Sequence, residues 1–64
     1  MTTWQGDLKG QMYTYKVSNA DIANVLGVTK EYIAMVFSGR RNPEGAEERF
    51  RRAVAEIIAE RNKK

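Results

Sequence analysis

Gly27 divides two short apolar patterns of helical spacing, one running from Asn19 to Leu26 and the other from Lys30 to Ser38. A glycine inside a helix costs roughly 1 kcal/mol relative to alanine. A chain of 64 residues has little to spare, because a single core this small supplies only about 3–5 kcal/mol. Gly27 is therefore expected to be a corner between two helices, in the left-handed conformation that glycine adopts at least cost.

The usual staples of small domains are missing. There is no cysteine, hence no disulfide and no thiolate metal site, and no histidine, the commonest general base and nitrogen ligand. No nucleophile is paired with a base, so the expectation is a protein that is not an enzyme and carries no cofactor or metal. The longest apolar runs fall far short of the ~20 residues of a membrane span. The opening Met-Thr-Thr-Trp-Gln-Gly-Asp lacks a basic segment followed by an apolar one, so no signal peptide and a cytoplasmic location are expected.

The net charge of +3 is unevenly placed. Up to residue 39, Lys9, Lys16 and Lys30 balance Asp7, Asp21 and Glu31; the surplus begins at Arg40 and Arg41. Alone, that is a weak pointer to an anionic partner.

Four helical segments fit between the glycines and Pro43, in a single domain. In the first, Trp4, Leu8, Met12 and Tyr15 share one face, with a start as late as Asp7. The run from Met12 to Val17 also has strand propensity; a helix followed by a short turn is preferred. Tyr13, Tyr15 and Tyr32 are expected to be half-buried. The second helix has Ser18 as N-cap and Asp21 in its first turn, with Ile22, Ala23 and Leu26 inward and Val25 partly so. Thr29 caps the third, whose buried face is Ile33, Val36 and Phe37. Glu31, Ala34, Met35 and Ser38 then point outward, with Lys30 and Tyr32 on opposite flanks. Gly39 stops it. For the fourth helix, Asn42 is a cap and Pro43 a first helical residue, followed by Glu44, Glu47 and Glu48 at the positive dipole end. Phe50, Ala53, Val54, Ile57 and Ile58 form its apolar stripe, which reaches about residue 61, with Arg61, Lys63 and Lys64 at the negative end. Arg49, Arg51 and Arg52 have glutamates of this helix at pairing distance.

Two helices meeting at Gly27, with the small Ala23 four residues before the corner, describe a helix-turn-helix over about 19–38. The stretch DIANVLGVTKEYIAMVFSGRRNP resembles the Cro/repressor-type (XRE-like) helix-turn-helix regulators of phages and bacteria, over about residues 7–43. Shared features are the hydrophobic-Ala pair, three residues, Gly-hydrophobic, a capping Thr, the framing hydrophobics, and the closing Gly-basic-Pro segment. The resemblance implies an all-α, lambda-repressor-like domain of four to five helices. It also implies a transcriptional repressor whose helix 30–38 enters the major groove of double-stranded DNA.

On that resemblance, Lys30, Glu31, Ala34, Met35 and Ser38 face the bases, and the helical wheel independently turns most of them outward. Ser18, Asn19, Thr29, Tyr32, Arg40 and Arg41 then meet phosphates. Small regulators of this kind usually dimerise. Trp4, Phe50, Val54, Ile57 and Ile58 are the expected dimer contacts, and no small-molecule effector is expected. The outer face of helix 30–38 departs from the pattern in lacking arginine, glutamine and asparagine. That leaves an alternative: a helix-turn-helix protein-interaction module, an antirepressor, assembly or antitoxin-like partner that does not read DNA.

Overall fold

The computed structural model describes residues 3–63, and Lys64, expected at the last helix's negative end, lies outside them. The fold is all-α: α1 (Trp4–Tyr15), α2 (Asn19–Leu26), α3 (Lys30–Phe37) and α4 (Ala46–Arg61), with no strand among the described residues. Thr3 starts α1 by accepting a hydrogen bond from the Gly6 amide, so the helix begins before Asp7. It ends at Lys16, which is left-handed (φ 59°) although it is not glycine. The Val17 amide then donates to the Met12 carbonyl at 2.8 Å.

Ser18 and Asp21 form a reciprocal capping box at the start of α2. The corner is as expected: Gly27 has φ 72° and ψ 34°, and its amide and that of Val28 both donate to the Ala23 carbonyl. The Thr29 hydroxyl accepts from the Tyr32 amide and starts α3. α2 and α3 pack on each other, joined by residues 27–29, as a helix–turn–helix; α4 packs on both α2 and α1.

One cluster unites the four helices: Leu8 and Met12 from α1, Ile22 and Ala23 from α2, Ile33 and Val36 from α3, and Ala46, Phe50, Ala53 and Val54 from α4, with Val17 between α1 and α2. Trp4, Phe37 and Phe50 close one side with ring centroids 5.4–6.2 Å apart, tilted or edge to face.

Four expectations need correction. Val25, expected partly inward, is exposed. Asn42 and Pro43 do not start α4. Gly45 is left-handed (φ 76°) and cannot lie within a right-handed helix, so α4 starts after it, without a side-chain cap. Pro43 instead sits in a recess with Leu26, Val28, Tyr32, Ala46 and Phe50. Tyr13 is 88% exposed and Tyr15 is exposed too, because the α1 face that meets the core is centred on Leu8 and Met12; only Tyr32 is half-buried. Phe50 and Val54 retain 2% and 1% of their surface. They are fully used in the protomer's core and leave no area for a dimer seam.

Candidate nucleic-acid interface

α3 stands at the corner made by Gly27 and shows one side to solvent. Lys30, Glu31, Ala34 and Ser38 are exposed, and Met35 is half-buried, deeper than the wheel placed it. Ala34, Met35, Ser38 and Arg40 line a shared depression. Its walls are short or apolar apart from Arg40; Lys30 and Glu31, exposed in the first turn of α3, lie outside it. In general, lysine can donate to guanine O6 and N7, glutamate can accept from cytosine N4, and apolar side chains can pack on thymine methyls.

The segment after α3 is tied back to it. The Met35 carbonyl accepts from the Arg40 amide at 2.9 Å, the Arg41 amide at 3.2 Å and the Ser38 hydroxyl at 3.0 Å. Gly39, at φ 84°, permits the reversal. Arg40 and Arg41 are thereby held beside the helix rather than trailing from it. The guanidinium of Arg41 lies 5.9 Å from the Tyr32 ring centroid, a cation–π contact that orients it along that flank.

At the start of α2, Ser18 is exposed and Asn19 half-buried, and Thr29 is exposed at the start of α3. The Ser18 and Thr29 oxygens accept from helix amides, which leaves each hydroxyl hydrogen to donate outward. Asp21 is pulled below its ordinary carboxylate value chiefly by the Ser18 backbone amide, against some desolvation, with the Ser18 side chain and the Arg61 charge adding to the effect.

Of the expected dimer residues, Trp4, Ile57 and Ile58 are half-buried against the core and keep some surface. Two neighbours of α3 are not among the site residues expected from the sequence. Gln5 and Lys9 of α1 line a groove with Ala34, Phe37 and Ser38, and the Lys9 ammonium lies 5.3 Å from the Phe37 ring centroid. Nothing local to α1 announces this, since the contact spans the first and third helices.

Comparison with known protein families, with curated proteins and with solved structures finds no match to this chain. No helix among the described residues is long and apolar enough to cross a membrane.

Proposed function

We propose that the chain is a sequence-preferring double-stranded DNA-binding protein, a Cro-like transcriptional repressor of lambda-repressor-like type, with α3 in the major groove. The observation that carries this is the exposed outer side of α3, flanked by exposed basic residues: Lys30 on the helix, and Arg40 and Arg41, whose backbone amides donate to the Met35 carbonyl. Base edges would meet Lys30, Glu31, Ala34, Met35 and Ser38; phosphates would meet Ser18, Asn19, Thr29, Tyr32, Arg40 and Arg41. Binding of this kind needs no cofactor, and a cytoplasmic location goes with it.

A module this small offers limited area, so a homodimer on a two-fold site, with half-sites one helical turn apart, belongs to the proposal. Its seam would use Ile57 and Ile58 at the end of α4, with the rim of Trp4. The test is selection from a random duplex library at near-physiological salt. Recovery of a two-fold motif is the expected result, and sedimentation with the selected duplex should give two chains per site. An unenriched library would overturn the reading.

The apolar centre of the face, Ala34 with half-buried Met35, favours one other use, docking of a partner protein. Salt separates the two. Phosphate contacts weaken log K with log salt at about −0.9 per neutralised phosphate, whereas an apolar protein interface does not.

A further inference from the structure

Two aromatic side chains of α3 each hold a cation that comes from outside the helix. Phe37 carries Lys9 of α1 at 5.3 Å from its ring centroid, and Tyr32 carries Arg41 of the following loop at 5.9 Å. At 3.6 residues per turn, positions 32 and 37 differ by about 140° around the helix. Buried Ile33 and Val36 lie between them on the inner side, and Glu31, Ala34, Met35 and Ser38 lie between them on the outer side. The outer surface of α3 is thus straddled by ring-bound cations, Arg41 on the Tyr32 flank and Lys9 on the Phe37 flank, which Lys30 of α3 itself shares. The two grooves beside it repeat the arrangement, with Gln5 and Lys9 bordering Ala34 and Ser38 on one side and Arg40 bordering Ala34, Met35 and Ser38 on the other.

We infer that Lys9 is a second backbone clamp, so that α1 belongs to the DNA interface and the two strands bordering the major groove are gripped from opposite flanks of α3, one by Lys9 and the other by Arg41. This rests on the DNA-binding reading above. A helix with side chains is roughly 10–12 Å across and the major groove about 12 Å wide, so a seated helix fills the groove and leaves a sugar-phosphate strand along each flank. A cation on each flank meets a different strand. Cations on one flank alone would leave the helix free to roll. The rings keep the charged ends of Lys9 and Arg41 beside α3 while both side chains stay exposed, and less freedom remains to be lost on binding. Gln5, in the Lys9 groove, adds a carboxamide donor on the same flank.

The test is anisotropy titration of a mixed-sequence duplex of roughly two helical turns, repeated over a series of potassium chloride concentrations. Lys9→Met removes the charge and keeps a flexible side chain of similar length beside Phe37. It should make the log K against log salt slope shallower by about 0.9. Arg41→Met should do the same, and the double variant about twice as much. Lys9→Arg should keep the original slope. Lys63→Met, at the exposed end of α4, should leave it unchanged. Thermal melts establish that each variant is folded, and Lys9→Gln replaces Lys9→Met if that protein melts early. A slope that falls for Arg41→Met but not for the Lys9 variants removes α1 from the interface and overturns this inference alone. Absence of salt-dependent binding by the unaltered protein overturns the DNA-binding reading and this inference with it.

Discussion

The guanidinium of Arg61 donates to the carbonyl of Lys16 at 2.8 Å, across a chain separation of 45 positions. The same group donates to the Tyr15 carbonyl and, at 3.2 Å, to the Asp21 carboxylate. Lys16 is left-handed, so the last carbonyls of α1 turn away from any following helical turn and need other donors. Arg61 supplies them from the end of α4 and at the same time anchors Asp21, the capping-box partner of Ser18. One side chain therefore fixes the corner preceding the helix–turn–helix.

Replacing Arg61 by methionine keeps much of the stem and removes the donors. Hydrogen bonds to charged groups contribute about 1.5–3 kcal/mol when well shielded. Arg61 is 43% exposed, so a loss of about 1 kcal/mol is expected after solvent screening. For a domain of this size that lowers Tm by about 4–8 °C. An unchanged melt would mean that water serves the α1 carbonyls equally well.

Asp21 gives the fold an acid-sensitive element. Its folded carboxyl titrates below its ordinary 3.8, first because the Ser18 amide donates to it. The ionised form is thus favoured by folding, and this stabilisation is fully present above 3.8 and disappears as pH falls through the lower folded value. Urea midpoints measured along a pH series should show the wild-type protein losing its advantage over Asp21→Asn on the acid side. A constant gap between the two proteins would assign Asp21 no linked proton.

The features legible in the sequence are those made by residues three to five positions apart. Ser18 with Asp21, Thr29 with the Tyr32 amide, and Gly27 with the Ala23 carbonyl each announce themselves by spacing and residue type. Asn42-Pro43 carried an equally local start signal, yet Gly45 two residues later, left-handed, outweighs it. Phe50 and Val54 were correctly placed on an apolar stripe, but a stripe does not say whether its cover is α1 to α3 or a second chain. Lys9 on Phe37 and Arg61 on Lys16 join positions 28 and 45 apart, and no periodicity encodes such pairs. The left-handed Lys16 is likewise silent, since lysine is not the residue type that signals that conformation.

Two glycines with equally open surroundings should respond oppositely to alanine. A Cβ at either Gly10 or Gly27 would meet no atom within 4 Å. Gly10 lies inside α1 with helical geometry, so Gly10→Ala should stabilise by about 0.5–1 kcal/mol. Gly27 has φ 72°, where a Cβ costs about 1–2 kcal/mol, so Gly27→Ala should destabilise by that amount and Gly27→Asn by less. Chemical denaturation of the three variants measures the signs. The same sign at both positions would mean that the positive φ is not what selects glycine at the corner.

Phe50 touches both Trp4 and Phe37 and is 2% exposed. Truncating a buried phenylalanine to alanine costs about 3–5 kcal/mol, comparable with the roughly 3–5 kcal/mol that a core of this size provides. Phe50→Ala should therefore be largely unfolded at 25 °C by circular dichroism. If it stays folded, the packing of Phe50 against Trp4 and Phe37 is not what holds this side of the core.

Glu31 brings two opposed effects to the outer face of α3. In the first turn it complements the helix dipole, a contribution of about 0.3–1 kcal/mol. On the proposed DNA-binding reading, its charge would repel phosphates and be tolerable only where a cytosine amino group or another donor meets it. Glu31→Gln should accordingly lower the melting temperature slightly and tighten binding to mixed-sequence duplex. Its preference for the selected sequence over that duplex should weaken. The three readouts are separable, because stability is measured without DNA and the two affinities on different duplexes. Tighter binding to both duplexes by the same factor would mean that Glu31 is only a long-range charge. Unchanged binding to both would mean that the first turn of α3 stays outside the groove.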